Sequence, residues 1–387
     1  MPGPEFSPRP RRSRRGAALS LVFATVLATG AAADALPHEP DAEQDHLVVR
    51  PVGATVDRED VARAAAEAVA EGESATQAAE EVVSRSGDRW GSVYGKEEYE
   101  QFQQSLDGEY TGVGLWARRS GDGRVEIARV QPGGPAAKAG VEAGDRLRTI
   151  DGSAVEGRPV TDVVALLRGN EGTEVDLGLQ REGRRWSESL IRTTLPSESV
   201  TVERLDGGAV KIKVVSFTRG SGKRVKDAVE DAPDGAGVLL DLRGNSGGLI
   251  TEAVTAASAF LDGGLVATYD VNGEQQALYA EPGGDTERPV VALVDGGTMS
   301  AAEMVTGALK DRRRAVTVGS RTFGKGSVQM PSTLPDGSVA ELTVGHYRTP
   351  EGREVDGLGI VPDVTPAEGE SVQAEAESVL TGLGTGS

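Results

Sequence analysis

Short, fully apolar runs that lead through a turn into a helix constrain the second half of this 387-residue chain more than any other feature. The clearest two runs lie at residues 238–240 and 290–294. A run without polar alternation is typical of a strand that is buried on both faces. A helix after each strand predicts a sheet that is covered by helices. We therefore expect an α/β domain over residues 195–367.

Composition and charge exclude several classes of protein. The formal net charge of −19 argues against nucleic acid as a partner, because phosphate binding needs a basic surface. The chain has no cysteine, which removes disulfides, thiolate metal ligands and a cysteine nucleophile. Two of its three histidines precede residue 50, and only His346 lies in the body of the chain. A histidine base or a zinc site is therefore not expected.

The start of the chain has the composition of an export signal. Five arginines between residues 9 and 15 precede an apolar run at residues 16–33, and small residues at 31–35 fit a signal-peptidase site. If it is retained, the same run is a membrane anchor, since its length approaches the ~20 residues that span a bilayer. We expect residues 1–33 to be a signal peptide or anchor, residues 34–56 to be a linker, and the protein to be extracytoplasmic, secreted or attached to the outer face of the cell membrane.

Three further segments complete the expected organisation. Residues 57–107 show helical spacing of alanine and valine with a break at Gly72, which predicts a helical arm for packing or dimerisation. Residues 108–194 combine a glycine-spaced loop, alternating strands and an amphipathic helix with Thr161 as its expected N-cap. This ordered combination resembles a PDZ domain. Residues 368–387 are expected to be a C-terminal tail.

The resemblance to PDZ domains implies that residues 108–194 bind the end of a protein chain. In that mode a peptide adds as a strand at the sheet edge, and N–H groups of a glycine-flanked loop hold its terminal carboxylate. The residues concerned are Thr111, Gly112, Val113, Gly114 and Leu115, with Val164 and Leu167 of the helix as pocket candidates. The plainer interpretation of these apolar side chains is core packing, and for the two helix residues both roles overlap.

Three segments of the α/β domain carry candidate chemistry. Residues 241–248 place glycines after a buried strand, which suits an oxyanion hole or an ordinary turn. Ser300 opens a helix after a strand, but Ser300 and Glu303 also fit a capping box. Lys325 lies between two glycines, and Gln329 points the same way if the following strand extends back to the lysine. Taken singly, each segment has an ordinary structural interpretation.

Together the segments resemble the carboxyl-terminal processing proteases, the tail-specific serine peptidases of family S41. In that family a serine opens a helix, and a Thr-x-Gly-Lys-Gly-x-x-Gln segment follows at the separation that Ser300 and Lys325 show here. The Asp-Leu-Arg-x-Asn-x-Gly-Gly block at 241–248 and residues 357–363 match too. The resemblance covers residues 87–363. It implies a mixed α/β peptidase core of ClpP/crotonase-like type with an inserted PDZ domain.

The resemblance also implies roles for individual residues. Ser300 becomes the nucleophile, Lys325 the general base, and Gln329 the residue that holds the lysine by a hydrogen bond. A lysine acts as a base only when it is neutral, so its pKa must fall below the usual value of about 10.4. No metal or cofactor is implied. The oxyanion hole would use the backbone N–H groups of Gly247 and Ala301, with Gly248 as an alternative to Gly247.

The expected function is an exported serine endopeptidase that recognises protein C-termini through its PDZ domain and cleaves near them. Its partners would be proteins or peptides with free C-termini; residues 16–33 would supply any membrane tether, and self-association stays open. Two alternatives remain. A binding protein on a dead peptidase scaffold is disfavoured by the intact Ser300, Lys325 and Gln329. A crotonase-like acyl-CoA enzyme is disfavoured by the PDZ module and by the spacing of Ser300 and Lys325.

Overall fold

The structure is a computed structural model that describes residues 57–121, 123–271 and 274–384. These residues form two compact units. One unit is Thr111–Leu195, and the other combines residues 57–110 with residues 196–384. The signal peptide or anchor expected at residues 1–33 and the linker expected at 34–56 lie outside the described residues. Among the helices of the described part, none has the length and hydropathy to cross a membrane.

The described residues contain nine helices and eighteen strands. The helices are α1 (Arg58–Glu71), α2 (Ala75–Ser86), α3 (Lys96–Leu106), α4 (Pro135–Lys138), α5 (Val160–Leu167), α6 (Ser221–Glu230), α7 (Ile250–Ser258), α8 (Ala301–Asp311) and α9 (Val372–Gly384). The strands are β1 (Ser92–Tyr94), β2 (Glu109–Gly112), β3 (Leu115–Arg119), β4 (Val125–Val130), β5 (Arg146–Ile150), β6 (Ser153–Ala154), β7 (Glu174–Arg181), β8 (Arg184–Ile191), β9 (Thr193–Pro196), β10 (Val200–Arg204), β11 (Val210–Val214), β12 (Val238–Asp241), β13 (Leu265–Val271), β14 (Glu274–Tyr279), β15 (Val290–Val294), β16 (Val316–Gly319), β17 (Ser327–Thr333) and β18 (Val339–Arg348).

The larger unit is built on a five-stranded sheet in the order β10-β11-β12-β15-β16. Strands β11, β12, β15 and β16 run parallel, and β10 is antiparallel at the edge. Every residue of β12 and β15 is buried, as expected for central parallel strands with helices on both faces. On one face Leu240 and Ala292 share a core with α6, α7 and α8. The expected mixed α/β class is confirmed.

Helix α9 covers the other face of this sheet. Ala376 and Leu380 of α9 pack with Leu239 and Leu293, which point away from the first core because side chains alternate along a strand. The sequence predicted only a tail for residues 368–387. Most of that segment is therefore a helix that contributes to the core.

A second sheet in the same unit contains β1, β13, β14, β17 and β18, and the helical arm packs on it. Val61 of α1, Ala79 of α2 and Leu342 of β18 belong to one buried cluster. Gly72 ends α1 in the left-handed conformation, with φ of 78°, so the predicted break between two helices is confirmed. Of the two interpretations of the arm, packing is the one that the described residues show.

The smaller unit contains a six-stranded sheet in the order β3-β4-β5-β7-β8, with β6 paired to β5. Strand β4 (Val125–Val130) is one of the strands expected within residues 108–194. Helix α5 begins at Val160 with Pro159 as its N-cap residue. The predicted capping by Thr161 is therefore wrong, since Thr161 lies inside the first turn. Strand β3 forms one edge of the sheet.

Candidate active site

Ser300 lies at the junction between β15 and α8, immediately before the helix begins. Its φ of 52° and ψ of −121° fall in a region that residues other than glycine rarely adopt. Two buried side chains hold this conformation. The Glu303 carboxylate accepts the Ser300 backbone N–H at 3.0 Å, and the Tyr347 hydroxyl donates to the Ser300 carbonyl at 3.0 Å. The serine is therefore fixed at a sharp strand-to-helix turn, as strained residues at functional sites are.

Glu303 joins this turn to the loop that carries Lys325. Its side chain is fully buried, and its carboxylate accepts the backbone N–H groups of Gly324 at 2.7 Å and Lys325 at 2.8 Å as well as the hydroxyl of Thr322. Burial raises the pKa of Glu303, while these hydrogen bonds favour its charged form. The capping-box spacing points to the bond with Ser300. No local sequence signal indicates the bonds to the lysine loop.

Lys325 is half-buried in the loop between β16 and β17. Its Nζ lies 5.2 Å from the centre of the Trp90 ring. This side-chain amine makes no hydrogen bond or ion pair with any described residue. Burial lowers the pKa of Lys325, against the attraction of the carboxylates of Glu341, Asp88 and Asp356. Favouring the neutral amine in this way suits a general base. No hydrogen bond joins this amine to the serine side chain in the described part of the chain.

Gln329 faces Thr343 across the β17–β18 pair. The sequence predicts that Gln329 and Lys325 point the same way only if this strand extends back to Lys325. Strand β17 begins at Ser327, so that condition is not met. The Gln329 amide donates to Ser327 Oγ at 2.7 Å and to Thr343 Oγ1 at 3.3 Å. Within the described residues it makes no hydrogen bond to Lys325, and its role beside the lysine stays a prediction.

Gly247 packs directly against the serine turn. A Cβ atom at this position would lie 3.0 Å from Ser300 Cβ and 3.2 Å from the Ala301 nitrogen. The Gly247 N–H, however, is donated to Asn245 Oδ1 at 2.8 Å, so a substrate oxygen cannot take it in this conformation. The N–H groups of Ala301 and Gly248 have no acceptor among the described residues. The geometry therefore favours Gly248, the alternative, over Gly247 as the partner of Ala301.

The predicted carboxylate loop of the smaller unit covers the end of β2 and the turn into the edge strand β3. Gly114 has φ of 80°, a conformation that glycine adopts without strain. Val113 and Leu167 are buried in the core of this unit, so core packing accounts for both. Leu115 and Val164 are only partly buried, which leaves part of each side chain for a ligand.

Comparison with known proteins is consistent with this geometry. The profile of peptidase family S41 matches residues 208–365, and that of the PDZ domain matches residues 126–181. The carboxy-terminal processing protease CtpA of Bacillus subtilis (strain 168) is 34% identical over 282 residues, which are 72% of this chain and 60% of that protein. The chloroplastic C-terminal processing peptidase of Tetradesmus obliquus is 35% identical over 301 residues, 72% of this chain and 64% of that protein.

A solved structure, the photosystem II D1 C-terminal processing protease, is 30% identical with a TM-score of 0.50, covering 80% of this chain and 86% of that one. Such identity over most of a solved peptidase shows common descent. The chain belongs to peptidase family S41 and carries a PDZ domain, which confirms the resemblance seen in the sequence. It spans 60% and 64% of the length of these two curated relatives.

Proposed function

We propose that this protein is an exported serine endopeptidase that binds the C-termini of proteins through its PDZ domain and cleaves near them. The observation that carries the proposal is the attachment of the Ser300 turn and the Lys325 loop to one buried carboxylate, that of Glu303. The names of the relatives support the substrate class. The extracytoplasmic location rests on the composition of residues 1–33.

In the proposed mechanism, the neutral Lys325 amine takes the proton of the Ser300 hydroxyl as the oxygen attacks the scissile carbonyl. The resulting ammonium then gives that proton to the leaving amine, and water releases the acyl group by the same route. The lowered pKa of Lys325 supports this role, because burial disfavours the ammonium form. The N–H groups of Ala301 and Gly248, which have no acceptor among the described residues, are the proposed donors to the oxyanion of the tetrahedral intermediate.

The proposed role of the PDZ domain is to select the substrate. A peptide that adds to the edge strand β3 would run along partly buried Leu115, with its terminal carboxylate at the turn that contains Gly114. Such binding requires a free C-terminus. The partners are accordingly proteins or peptides whose C-terminal segment is extended and accessible.

The direct test is cleavage of a tagged protein with an apolar C-terminal segment. Wild type is expected to remove the tagged end, and Ser300→Ala is expected to leave the substrate intact. Ser320→Ala serves as the control, because Ser320 is exposed in the same unit. Equal cleavage by wild type and Ser300→Ala would overturn the proposal. Binding of the substrate without cleavage by wild type would instead support a dead scaffold.

A further inference from the structure

A chain of side-chain hydrogen bonds runs from the helical arm to Gln329. Asp88, which follows α2, accepts the hydroxyl of Thr343 at 2.8 Å and the backbone N–H of Thr343 at 2.9 Å. Thr343 Oγ1 in turn bonds to the Gln329 amide nitrogen at 3.3 Å. Thr343 and Gln329 are opposite one another in β18 and β17, beside a bulge where the register shifts. Bulges of this kind often re-aim side chains next to active sites.

The number of protons on each group fixes the direction of this chain. A threonine hydroxyl has one proton, and Thr343 donates it to Asp88. The Asp88 carboxylate also accepts three backbone N–H groups, those of Trp90, Gly91 and Thr343. Thr343 Oγ1 can therefore only accept from Gln329, so the amide must present its NH₂ group to Thr343. Its carbonyl oxygen is left over, and no described residue donates to it.

We propose that Thr343 and Asp88 are positioning residues that fix the Gln329 amide with its carbonyl oxygen available to the Lys325 amine. The inference rests on the proposed function, because it gives Gln329 its partner. An amide oxygen accepts an N–H of the amine and leaves the nitrogen lone pair free for the Ser300 proton. An amide turned the other way donates to that lone pair and blocks the base.

Burial is the largest influence on the pKa of Lys325, and several charged groups act against it. The carboxylates that attract the ammonium form are Glu341 in β18, Asp88 in the arm and Asp356 in the segment after β18. His346 lies 3.9 Å from the Asp356 carboxylate. A substitution of Thr343 removes none of these charges. Loss of the hydroxyl also removes one hydrogen bond to Asp88, so a changed pH profile reports the orientation of the amide when the change disappears in a Gln329→Ala background.

The main test variant is Thr343→Val, which keeps the shape of the side chain and removes the hydroxyl. We expect kcat to fall about tenfold with little change in KM. We also expect the activity to begin rising at lower pH. The Ser327 hydroxyl can either accept or donate, so without Thr343 the amide can turn while it keeps its bond to Ser327. A turned amide that donates to Lys325 disfavours the ammonium form. Thr343→Ser restores the hydroxyl and should restore both values.

Thr317→Val is the matched control. Thr317 also gives its hydroxyl and its backbone N–H to one carboxylate, that of Asp363, but it lies in β16, which belongs to a different sheet from the strand of Gln329. We expect it to change thermal stability and to leave the pH profile as in wild type. A Thr343→Val enzyme with wild-type kcat and pH profile would overturn the inference, and so would equal losses in Thr343→Val and Thr343→Ser.

A double-mutant cycle tests whether Thr343 acts through Gln329. In a Gln329→Ala background, Thr343→Val should cause no further loss of kcat, since the amide that it positions is gone. Additive losses would assign Thr343 a separate structural role and overturn the inference. Ser300→Ala is assayed on the same substrate. If it cleaves as wild type does, the proposed function fails, whereas a dead Ser300→Ala beside an unaffected Thr343→Val rejects the positioning role alone.

Discussion

The backbone N–H groups of Ser300 and Lys325 donate to the same oxygen, Oε2 of Glu303, at 3.0 and 2.8 Å. The other oxygen accepts the N–H of Gly324 and the hydroxyl of Thr322. Since the carboxylate is fully buried, all four donors depend on it. The serine turn and the lysine loop, which are 25 residues apart in sequence, are therefore held in a fixed relation by a side chain that substrate would not need to touch.

Substitution of Glu303 should disrupt this relation. Glu303→Gln replaces one acceptor oxygen by an NH₂ group that faces N–H donors, so we expect the free energy of unfolding to fall by about 3 kcal/mol. We expect kcat to fall at least about a hundredfold, because small displacements of reacting groups have effects of that size. Denaturant unfolding and steady-state cleavage measure the two effects. Glu203→Gln, at an exposed position, is the control, and wild-type activity in Glu303→Gln would contradict the role.

The sequence predicted the local parts of this site and missed the connections between them. The bounds of β15, the break at Gly72 and the placing of Ser300 at a strand-to-helix turn all follow from short-range patterns in the sequence. Thr343 and Asp88 are 255 residues apart. Nothing in the sequence around Glu303 indicates that its carboxylate also accepts hydrogen bonds from residues 322–325. Such contacts depend on how the sheets and loops pack, which a single sequence does not encode as a pattern.

Two elements carry sequence signals of their own. Helix α9 has apolar residues at helical spacing, including Val372, Ala376 and Leu380, within a polar and alanine-rich segment. Strands β13 and β14 flank an Asn-Gly pair in the sequence, which is a strong signal for a hairpin. Both elements could therefore have been predicted from period and turn composition.

The pH dependence of cleavage should reflect the lowered pKa of Lys325. The neutral amine is the working form, and it is present above the pKa of the folded enzyme, so kcat/KM should rise with pH through a midpoint below the ordinary value of 10.5. A profile measured from pH 5 to 10 on a substrate without titrating groups checks this. A rate that increases as the pH falls would rule out a lysine base.

Trp90 should contribute to that lowered pKa. Its ring lies 5.2 Å from Lys325 Nζ, and Trp90→Ala would admit water to the amine. A cation–π contact favours the ammonium form, but burial is the larger effect on Lys325, so we expect the midpoint of the pH profile to move to higher pH. Trp186→Ala, in the PDZ unit, should leave the midpoint unchanged. An unchanged midpoint in Trp90→Ala would mean that the ring does not dehydrate the amine.

Lys325 should lower the stability of the folded protein at neutral pH. Because the pKa of Lys325 is lower in the folded than in the unfolded chain, the unfolded chain binds the proton more tightly, and the charged lysine destabilises the fold at neutral pH. Lys325→Met should therefore raise the melting temperature at pH 7 while activity drops about a thousandfold or more. The exposed Lys96→Met should change neither the melting temperature nor the activity. A less stable Lys325→Met protein would show that the lysine is a structural residue.

Binding by the PDZ domain should require a free carboxylate. Amidation of a peptide C-terminus removes the charge and one acceptor, and hydrogen bonds to charged groups contribute about 1.5–3 kcal/mol each, so affinity for the full chain should weaken at least about tenfold. Calorimetric titration of acid and amide forms of one peptide into Ser300→Ala measures this without cleavage. Equal affinity would mean that the carboxylate loop is wrongly assigned.

The most direct test of the account is covalent labelling with a fluorophosphonate, which reacts with activated serine nucleophiles. Wild type is expected to gain one adduct, which peptide mass spectrometry assigns to Ser300, at a rate that rises with pH. Lys325→Met is expected to label far more slowly, and Ser300→Ala not at all. An adduct on another serine, or equal labelling rates in wild type and Lys325→Met, would contradict a Ser300 nucleophile that is activated by Lys325.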